Sequence, residues 1–215
     1  MLFAHDTEHG LIEVAALVNT TGAGREGLPD IAALDAFLRT WGWTGRRDRN
    51  EAELHAVRAL RPQLREVWEV EEDRAVAIVN QLLRDGNALP QLVKHDGWDY
   101  HLHATPSDAP LAIRMAVDAA MAILEVVRTK ELSRLRICEF PGCSDVVVDL
   151  SKNRSKRYCE GSCGNRAAVA AYRARKAGTD VAEPSSHELR WAAARQPVRA
   201  KPAPRPASRP RRDRG

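Results

Sequence analysis

The sequence predicts a mainly α-helical protein of the α+β class, with a helical N-terminal domain, a small β-hairpin within it, a small cysteine-rich module and a disordered basic tail. Apolar residues recur at helical spacing through most of residues 1–131. All four cysteines lie between positions 138 and 163, and residues 201–215 are Pro/Arg-rich sequence without core-forming side chains. We therefore predict three domains, over residues 1–131, 132–178 and 179–215.

Two helices are predicted before residue 43. Apolar residues every three or four positions give the first helix one buried face, and a Gly-rich segment ends it after Asn19-Thr20. We predict that Asn19 caps or turns the chain there, with a ligand contact as the alternative. The second helix follows Pro29 and ends near Trp41-Gly42-Trp43, whose indoles are predicted to cover the edge of the core.

A third and a fourth helix are predicted between residues 50 and 87. Asn50, followed three residues later by Glu53, resembles a capping box. Pro62 lies within the apolar stripe of the third helix. Because proline removes a backbone donor and clashes with the preceding turn, we predict a kink or a split near Arg61. Acidic residues begin the fourth helix, where negative charge is favourable.

Alternating polar and apolar residues on both sides of Asp96-Gly97 predict a β-hairpin over residues 89–95 and 98–104. His101 and His103 fall on one face of its second strand, and His95 lies across the turn. Two histidines two positions apart on a strand can chelate a metal ion, which would make this domain a metal-dependent enzyme or a metal sensor. Polar residues alternating on an exposed sheet face explain the same pattern.

Ser107 and Asp108 begin the longest predicted helix, which is apolar on most faces and therefore belongs at the centre of the N-terminal domain. Asp118 is its polar exception. We predict that Asp118 faces Arg114 on the adjacent turn, with a ligand contact as the alternative.

The cysteines form two close pairs, Cys138 with Cys143 and Cys159 with Cys163, separated by fifteen residues. Two such pairs are typical of a closed tetrahedral zinc site, so we predict one structural zinc ion. An iron–sulfur centre, a redox pair, disulfides and unrelated thiols are the alternatives. Disulfides need an oxidising compartment, and the N-terminus shows no leader-peptide pattern.

A treble-clef-like zinc finger is predicted around these cysteines. Its parts are a tight knuckle at residues 139–142, a short strand at 146–149, a return strand at Arg157-Tyr158 and an Ala-rich helix beginning at the second pair.

The tetrapeptide Cys163-Gly164-Asn165-Arg166 and the preceding run SKNRSKRYC resemble the CGNR zinc finger, a family named for those four residues. In this family the finger follows an actinobacterial-type domain called ABATE, described as a stress-induced transcription regulator. Residues 1–131 resemble that domain in the order of their elements: a first helix ending in Asn-Thr, a hairpin, a long helix, then LSRLRIC. The resemblance implies a structural zinc ion, and the description of the family implies DNA binding.

Charge is unevenly distributed along the chain. Residues 1–127 contain 12 Lys and Arg against 20 Asp and Glu, residues 128–176 contain 12 against 5, and residues 187–215 contain 9 against 2. An acidic body therefore carries a basic C-terminal third, a pattern that often marks contact with a polyanion.

The finger contains six candidate nucleic-acid contacts: Arg154, Lys156, Arg157, Arg173, Arg175 and Lys176. Cations of this kind contact phosphates, and an arginine can also read guanine by two hydrogen bonds. Asn165 and Arg166 adjoin a zinc ligand, so we predict that they support the metal site by bonding the thiolates or by locking the helix to the knuckle.

The leading hypothesis is a non-enzymatic, DNA-binding zinc protein that regulates transcription, whose N-terminal domain senses a small-molecule effector or mediates assembly, for example as a homodimer. An RNA- or ribosome-associated zinc protein is the alternative. The sequence contains no nucleophile elbow, phosphate loop or paired-carboxylate motif, so an enzyme would depend on the His101/His103 face. No apolar run is long enough to cross a bilayer. We expect a cytoplasmic protein without a membrane partner, associated with the nucleoid if it binds DNA.

Overall fold

The computed structural model describes residues 3–24, 26–94 and 99–176, and within them the chain forms six α-helices and two small antiparallel sheets. The helices are α1 (His5–Asn19), α2 (Ile31–Thr40), α3 (Glu51–Glu66), α4 (Glu72–Asp85), α5 (Leu111–Arg128) and α6 (Cys163–Lys176). The strands are β1 (Gln91–Val93), β2 (His101–His103), β3 (Leu135–Ile137) and β4 (Val146–Val148), paired as β1–β2 and β3–β4. The predicted mainly helical α+β class is confirmed. The predicted tail over residues 179–215 lies outside the described residues.

Helix α5 is the central element of the core, because it packs against α1, α3 and α4. More than half of its residues are buried, as predicted from its apolar sequence. Glycines allow the neighbouring backbones to come close. A Cβ atom on Gly10 would lie 3.2 Å from the Cβ of Ala122, and one on Gly86 would lie 2.1 Å from a methyl group of Val117. No helix among the described residues is long and apolar enough to span a membrane.

Helix α3 begins as predicted, since the Asn50 side chain accepts a hydrogen bond from the backbone N–H of Glu53 (2.9 Å). Of the kink or split predicted near Arg61, the split is wrong, because α3 continues through Pro62 to Glu66, and the kink stays a prediction. Proline cannot donate to the carbonyl oxygen of Arg58 one turn earlier. That oxygen instead accepts from Nε of Arg61 (3.3 Å), which partly compensates for the missing backbone bond.

The second sheet packs on the helical core. Trp68, which follows α3, is buried and donates from Nε1 to the carbonyl oxygen of Val147 (3.1 Å). Strand β4 also contacts α1. Three residues of this sheet belong to the same apolar core as the helices: Leu135, Val146 and Val148.

Asn19, the last residue of α1, holds the outer edge of β4. Its Nδ2 donates to the carbonyl oxygen of Val146 (2.9 Å), and its Oδ1 accepts from the N–H of Val146 (2.8 Å). Alternate residues of a strand direct their backbone groups to opposite edges. On the β3 side, the carbonyl oxygen of Asp145 accepts from the N–H of Cys138. The backbone groups of the next residue, Val146, are therefore directed to the opposite edge of β4, toward Asn19. The predicted role of Asn19 as a cap or turn residue is therefore wrong, since its amide acts as a partner for the strand edge.

We expect Asn19→Ala to lower the free energy of unfolding by about 1–3 kcal/mol, because two buried backbone groups of Val146 lose their partner. Urea denaturation measures this change. Asn80→Ala is the matched control, since Asn80 is exposed on α4 and alanine favours helix. Equal stability of Asn19→Ala and Asn80→Ala would contradict the assigned role of Asn19.

Candidate metal centre

The four cysteine side chains meet beside β4. Their Sγ atoms all lie within 4.8 Å of one another, and the Sγ atoms of Cys143 and Cys159 are 3.9 Å apart. Four sulfurs bound to one zinc ion are about 3.8 Å apart, given a Zn–S distance of about 2.3 Å. None of the four forms a disulfide. Both the spacing and the donor type fit zinc, so the predicted single structural zinc site of the four cysteines is confirmed.

Local structure places three of the four cysteines. Cys138 directly follows β3, and a turn at residues 140–143 brings Cys143 back to it, with the N–H of Cys143 donating to the carbonyl oxygen of Phe140 (2.9 Å). Gly142 has a φ of 77°, a conformation that glycine adopts without strain. Cys163 is the first residue of α6, where the helix dipole favours an anionic sulfur. The predicted knuckle and the following helix therefore provide three of the four ligands.

Backbone N–H groups are directed at three of the sulfurs. Each of these sulfurs has a donor at the second residue after the cysteine: Phe140 for Cys138, Asp145 for Cys143 and Gly161 for Cys159. Cys138 also accepts from the N–H of Cys159 (3.4 Å). An N–H group that bonds to sulfur stabilises the thiolate, which is the form that binds zinc. The turn geometry therefore prepares the sulfurs for a cation.

Burial opposes ionisation of these thiols in the absence of metal. Desolvation raises the pKa of Cys143 to about 11 and also raises the pKa of Cys159, against the effect of the N–H groups. Desolvation acts on Cys138 too, but hydrogen bonds from the N–H groups of Cys159 and Phe140, together with those from the Cys143 and Cys159 thiols, outweigh it and lower the pKa of Cys138. Zinc must therefore displace protons when it binds, and this couples metal affinity to pH.

A return strand at Arg157-Tyr158 was predicted, and this prediction is wrong. Strand β4 pairs with β3 instead, and the carbonyl oxygen of Arg157 accepts a single backbone hydrogen bond from Glu139 (2.9 Å). Strand β3 occupies this edge of β4, because Leu135 of β3 is buried in the core beside its partner Val148.

Asp149 is a structural residue of the finger for which no role was predicted. It is fully buried at the end of β4, where its carboxylate accepts from the N–H and hydroxyl of Ser151 and from the N–H of Lys156 (3.1 Å). These bonds fix the basic loop between β4 and the second cysteine pair. The Asp-x-Ser sequence, which often forms an Asx turn, was the available signal.

The candidate nucleic-acid contacts fall into two groups. The three loop cations each pair with a glutamate, as Arg154–Glu131 (2.9 Å), Lys156–Glu160 and Arg157–Glu139. In contrast, Arg173, Arg175 and Lys176 are exposed in the last turns of α6. Within the described part of the chain, no ion pair involves any of these three helix cations.

The two residues predicted to support the zinc site differ in their surroundings. The guanidinium carbon of Arg166 lies 4.1 Å from the centroid of the Phe140 ring, a cation–π contact between α6 and the knuckle. Asn165 is exposed. Among the described residues, neither side chain donates a hydrogen bond to a cysteine sulfur.

His101 and His103 lie half-buried on β2, and their Nε2 atoms are 3.0 Å apart. The structure therefore places the two predicted histidines side by side, whereas His95 lies outside the described residues. In the described ranges, the four cysteines are the single group in which three or more donors lie within 4.8 Å of one another.

Two carboxyl groups lie within the helical body, those of Glu13 and Asp118. Asp118 and Arg114 form no direct ion pair among the described residues, because the Arg114 guanidinium bonds three backbone carbonyl oxygens, those of Thr44, Arg46 and Ala109. The predicted neighbourhood of the two groups is confirmed only in that, against the effect of burial, the charge of Arg114 lowers the pKa of Asp118. Burial raises the pKa of Asp118 to about 6. Burial also raises the pKa of Glu13 to about 8. The hydrogen bond from the Trp43 indole lowers that pKa, and the charge of Asp118 adds a smaller increase.

Removal of zinc by a chelator is expected to lower the melting temperature of the whole protein, because the metal holds the connection between β3 and β4, and Leu135, Val146 and Val148 of this sheet belong to the main core. Thermal unfolding followed by circular dichroism, with zinc content measured in parallel, checks this. Cys159→Ser should behave like the chelated protein, and Ser162→Ala, an exposed neighbour, should behave like the wild type. An unchanged melting temperature after loss of zinc would contradict this coupling.

Stability should fall as the pH rises from about 4.5 to about 8, because folded Glu13 keeps a proton that the unfolded chain releases in that interval. Glu13→Gln removes this ionisation, so we expect a flatter pH dependence and a gain in stability relative to wild type that is largest above about pH 8. Urea unfolding across this pH range measures the slope. The control is the exposed Glu51→Gln, which should keep the wild-type slope. A Glu13→Gln variant with the wild-type slope would disprove the assignment.

Two family models match the chain. Residues 134–176 match the CGNR zinc finger, and residues 14–130 match ABATE, described as "Putative stress-induced transcription regulator". No curated protein matches the chain. The ABATE match covers more than half of the 215 residues, and the zinc-finger match includes all four cysteines of the metal centre. The chain therefore belongs to the ABATE family, whose description is that of a transcription regulator and not of an enzyme, and it carries a CGNR zinc finger.

Proposed function

We propose that the protein is a DNA-binding transcription regulator in which the zinc finger holds a basic helix against the DNA backbone. The observation that carries this proposal is the group of exposed cations at the end of α6, formed by Arg173, Arg175 and Lys176. Phosphate contacts of such cations release counterions and supply much of the affinity of DNA-binding proteins. The match to a family of transcription regulators supports the choice of DNA as the polyanion.

The electrostatic balance of the finger favours the helix over the loop as the principal contact. Arg154, Lys156 and Arg157 are each partly neutralised by a glutamate, so each must exchange that partner for a phosphate. Such an exchange reduces the net gain in binding free energy. A helix cation without an ion pair binds a phosphate without first breaking a contact. The loop cations therefore act as secondary contacts in this proposal.

Asn165 and Arg166 support the helix in this proposal rather than reading bases. Stacking of Arg166 on Phe140 links α6 to the turn that carries the first cysteine pair. The orientation of the first turn of α6 then depends on the same residues that bind zinc. The division into a body over residues 1–131, a finger over 132–178 and a tail over 179–215 is part of the proposal, as is a cytoplasmic location.

The helical body would pass a signal to the finger through β4. Asn19 and Trp68 bond to consecutive residues of that strand, and β4 lies between the two cysteine pairs in sequence. An effector or a second subunit that shifts α1 or the end of α3 would therefore act directly on the scaffold of the metal centre. This arrangement supports a role of the N-terminal domain in sensing or assembly.

Replacement of Arg173, Arg175 and Lys176 together by alanine is expected to weaken DNA binding and to flatten its salt dependence. The slope of log K against log salt should change by about 0.9 for each phosphate that the variant no longer neutralises. Fluorescence anisotropy with genomic DNA fragments at several salt concentrations measures both quantities. Alanine at three exposed body positions, Arg39, Arg84 and Arg128, removes the same charge and should have a much smaller effect.

Two results would contradict the proposal. One is an unchanged affinity and salt slope in the helix variant. The other is preferential binding of structured RNA over duplex DNA by the wild-type protein, which would assign the same cations to an RNA- or ribosome-associated role.

A further inference from the structure

The hairpin β1–β2 brings two histidine nitrogens together over the helical body. The Nε2 atoms of His101 and His103 are 3.0 Å apart, with their rings at 63° to each other. Two imidazole nitrogens bound to one zinc ion lie about 3.3 Å apart, given a Zn–N distance of 2.0–2.1 Å and tetrahedral angles. The spacing of this pair is therefore close to that of two ligands of one metal ion.

The hydrogen bond made by Nδ1 of His101 assigns cation binding to its other ring nitrogen, Nε2. Nδ1 of His101 lies 2.8 Å from the carbonyl oxygen of Asp99. A carbonyl oxygen accepts only, so Nδ1 of His101 carries a proton. Nε2 of His101 then accepts from the Nε2–H of His103, and a cation bound by both Nε2 atoms replaces that proton, which moves to the other ring nitrogen of His103 or to solvent. Metal-bound histidines usually make this contact, because it fixes both the tautomer and the orientation of the ring.

Asp118 of α5 offers an oxygen donor. It is close enough to His101 for their charges to interact, and its Oδ1 is buried with no hydrogen-bond partner among the described residues. The nearby Arg114 does not pair with it, because that guanidinium is directed to backbone carbonyl oxygens. A buried carboxylate oxygen without a partner is costly, and a coordinated cation removes that cost.

We propose that His101, His103 and Asp118 bind a second divalent transition-metal ion, distinct from the zinc of the four cysteines. Two imidazoles and one carboxylate suit first-row ions such as zinc, cobalt and nickel. The two histidines are already adjacent, whereas the three donors are not yet within 4.8 Å of one another, so Asp118 turns toward the ion when it binds. Three protein ligands leave a coordination position for water or a small molecule.

Such an ion would connect β2 to α5, the central helix of the body. Leu102 of β2 already contacts α1 through its N–H, which lies 3.5 Å from a carboxylate oxygen of Asp6. Metal binding would therefore fix the hairpin to the helices and give the N-terminal domain an input that responds to metal availability. This inference does not depend on whether the finger binds DNA.

The test uses the full-length protein with the cysteine site saturated with zinc. Cobalt is then added, and its content per chain and visible spectrum are measured after removal of free metal. We expect one cobalt ion per chain, bound without a thiolate-to-cobalt charge-transfer band. Exchange into the cysteine site would produce that band. His103→Gln and Asp118→Asn should each weaken cobalt binding by at least about tenfold, and their zinc content should stay at one.

His55→Gln is the matched control, since His55 is exposed on α3 and should leave cobalt binding unchanged. A thermal shift gives an independent measure, because cobalt should raise the melting temperature of the wild type and of His55→Gln but not of the other two variants. The proposal is overturned if the zinc-loaded wild type binds no cobalt. It is equally overturned if His103→Gln and Asp118→Asn, both folded, bind cobalt as the wild type does.

Discussion

The contact between Asn19 and strand β4 is the constraint on which the arrangement of the finger depends. A short strand of three residues next to a metal site has one edge paired with β3 and one edge exposed to competing partners. The amide of Asn19 satisfies both backbone groups of Val146 on that second edge, and Trp68 bonds the next residue. Strand β4, which lies between the two cysteine pairs in sequence, is thereby attached to the helical body.

Zinc and the apolar core stabilise the same small sheet from opposite sides. The finger contributes few large apolar side chains, so metal ligation replaces the core that it lacks. On the other side, Leu135, Val146 and Val148 enter the core built around α5. The metal centre and the body are therefore parts of one cooperative structure, and a perturbation of either changes the stability of the other.

Folding divides the basic residues into a paired group and an exposed group. The sequence contains many basic residues from position 128 onward, but folding pairs part of them with nearby glutamates, as in the loop between β4 and α6. The end of α6 keeps its cations exposed. In the body, burial has the opposite consequence: Glu13 and Asp118 lose hydration, and this raises the pKa of each, in Asp118 against the charge of Arg114.

Local patterns in the sequence determined the helices, the hairpin around β1 and β2, and the zinc site, because helical periodicity, turn residues and paired cysteines act over a few residues. They also indicated that His101 and His103 lie side by side. Only the tertiary structure decided that Asn19 meets Val146, 127 residues away, that β3 rather than Arg157-Tyr158 pairs with β4, and that Arg114 turns from Asp118 to backbone carbonyls. Each of these depends on which unpaired polar groups the packed helices bring together, and no local spacing encodes that competition.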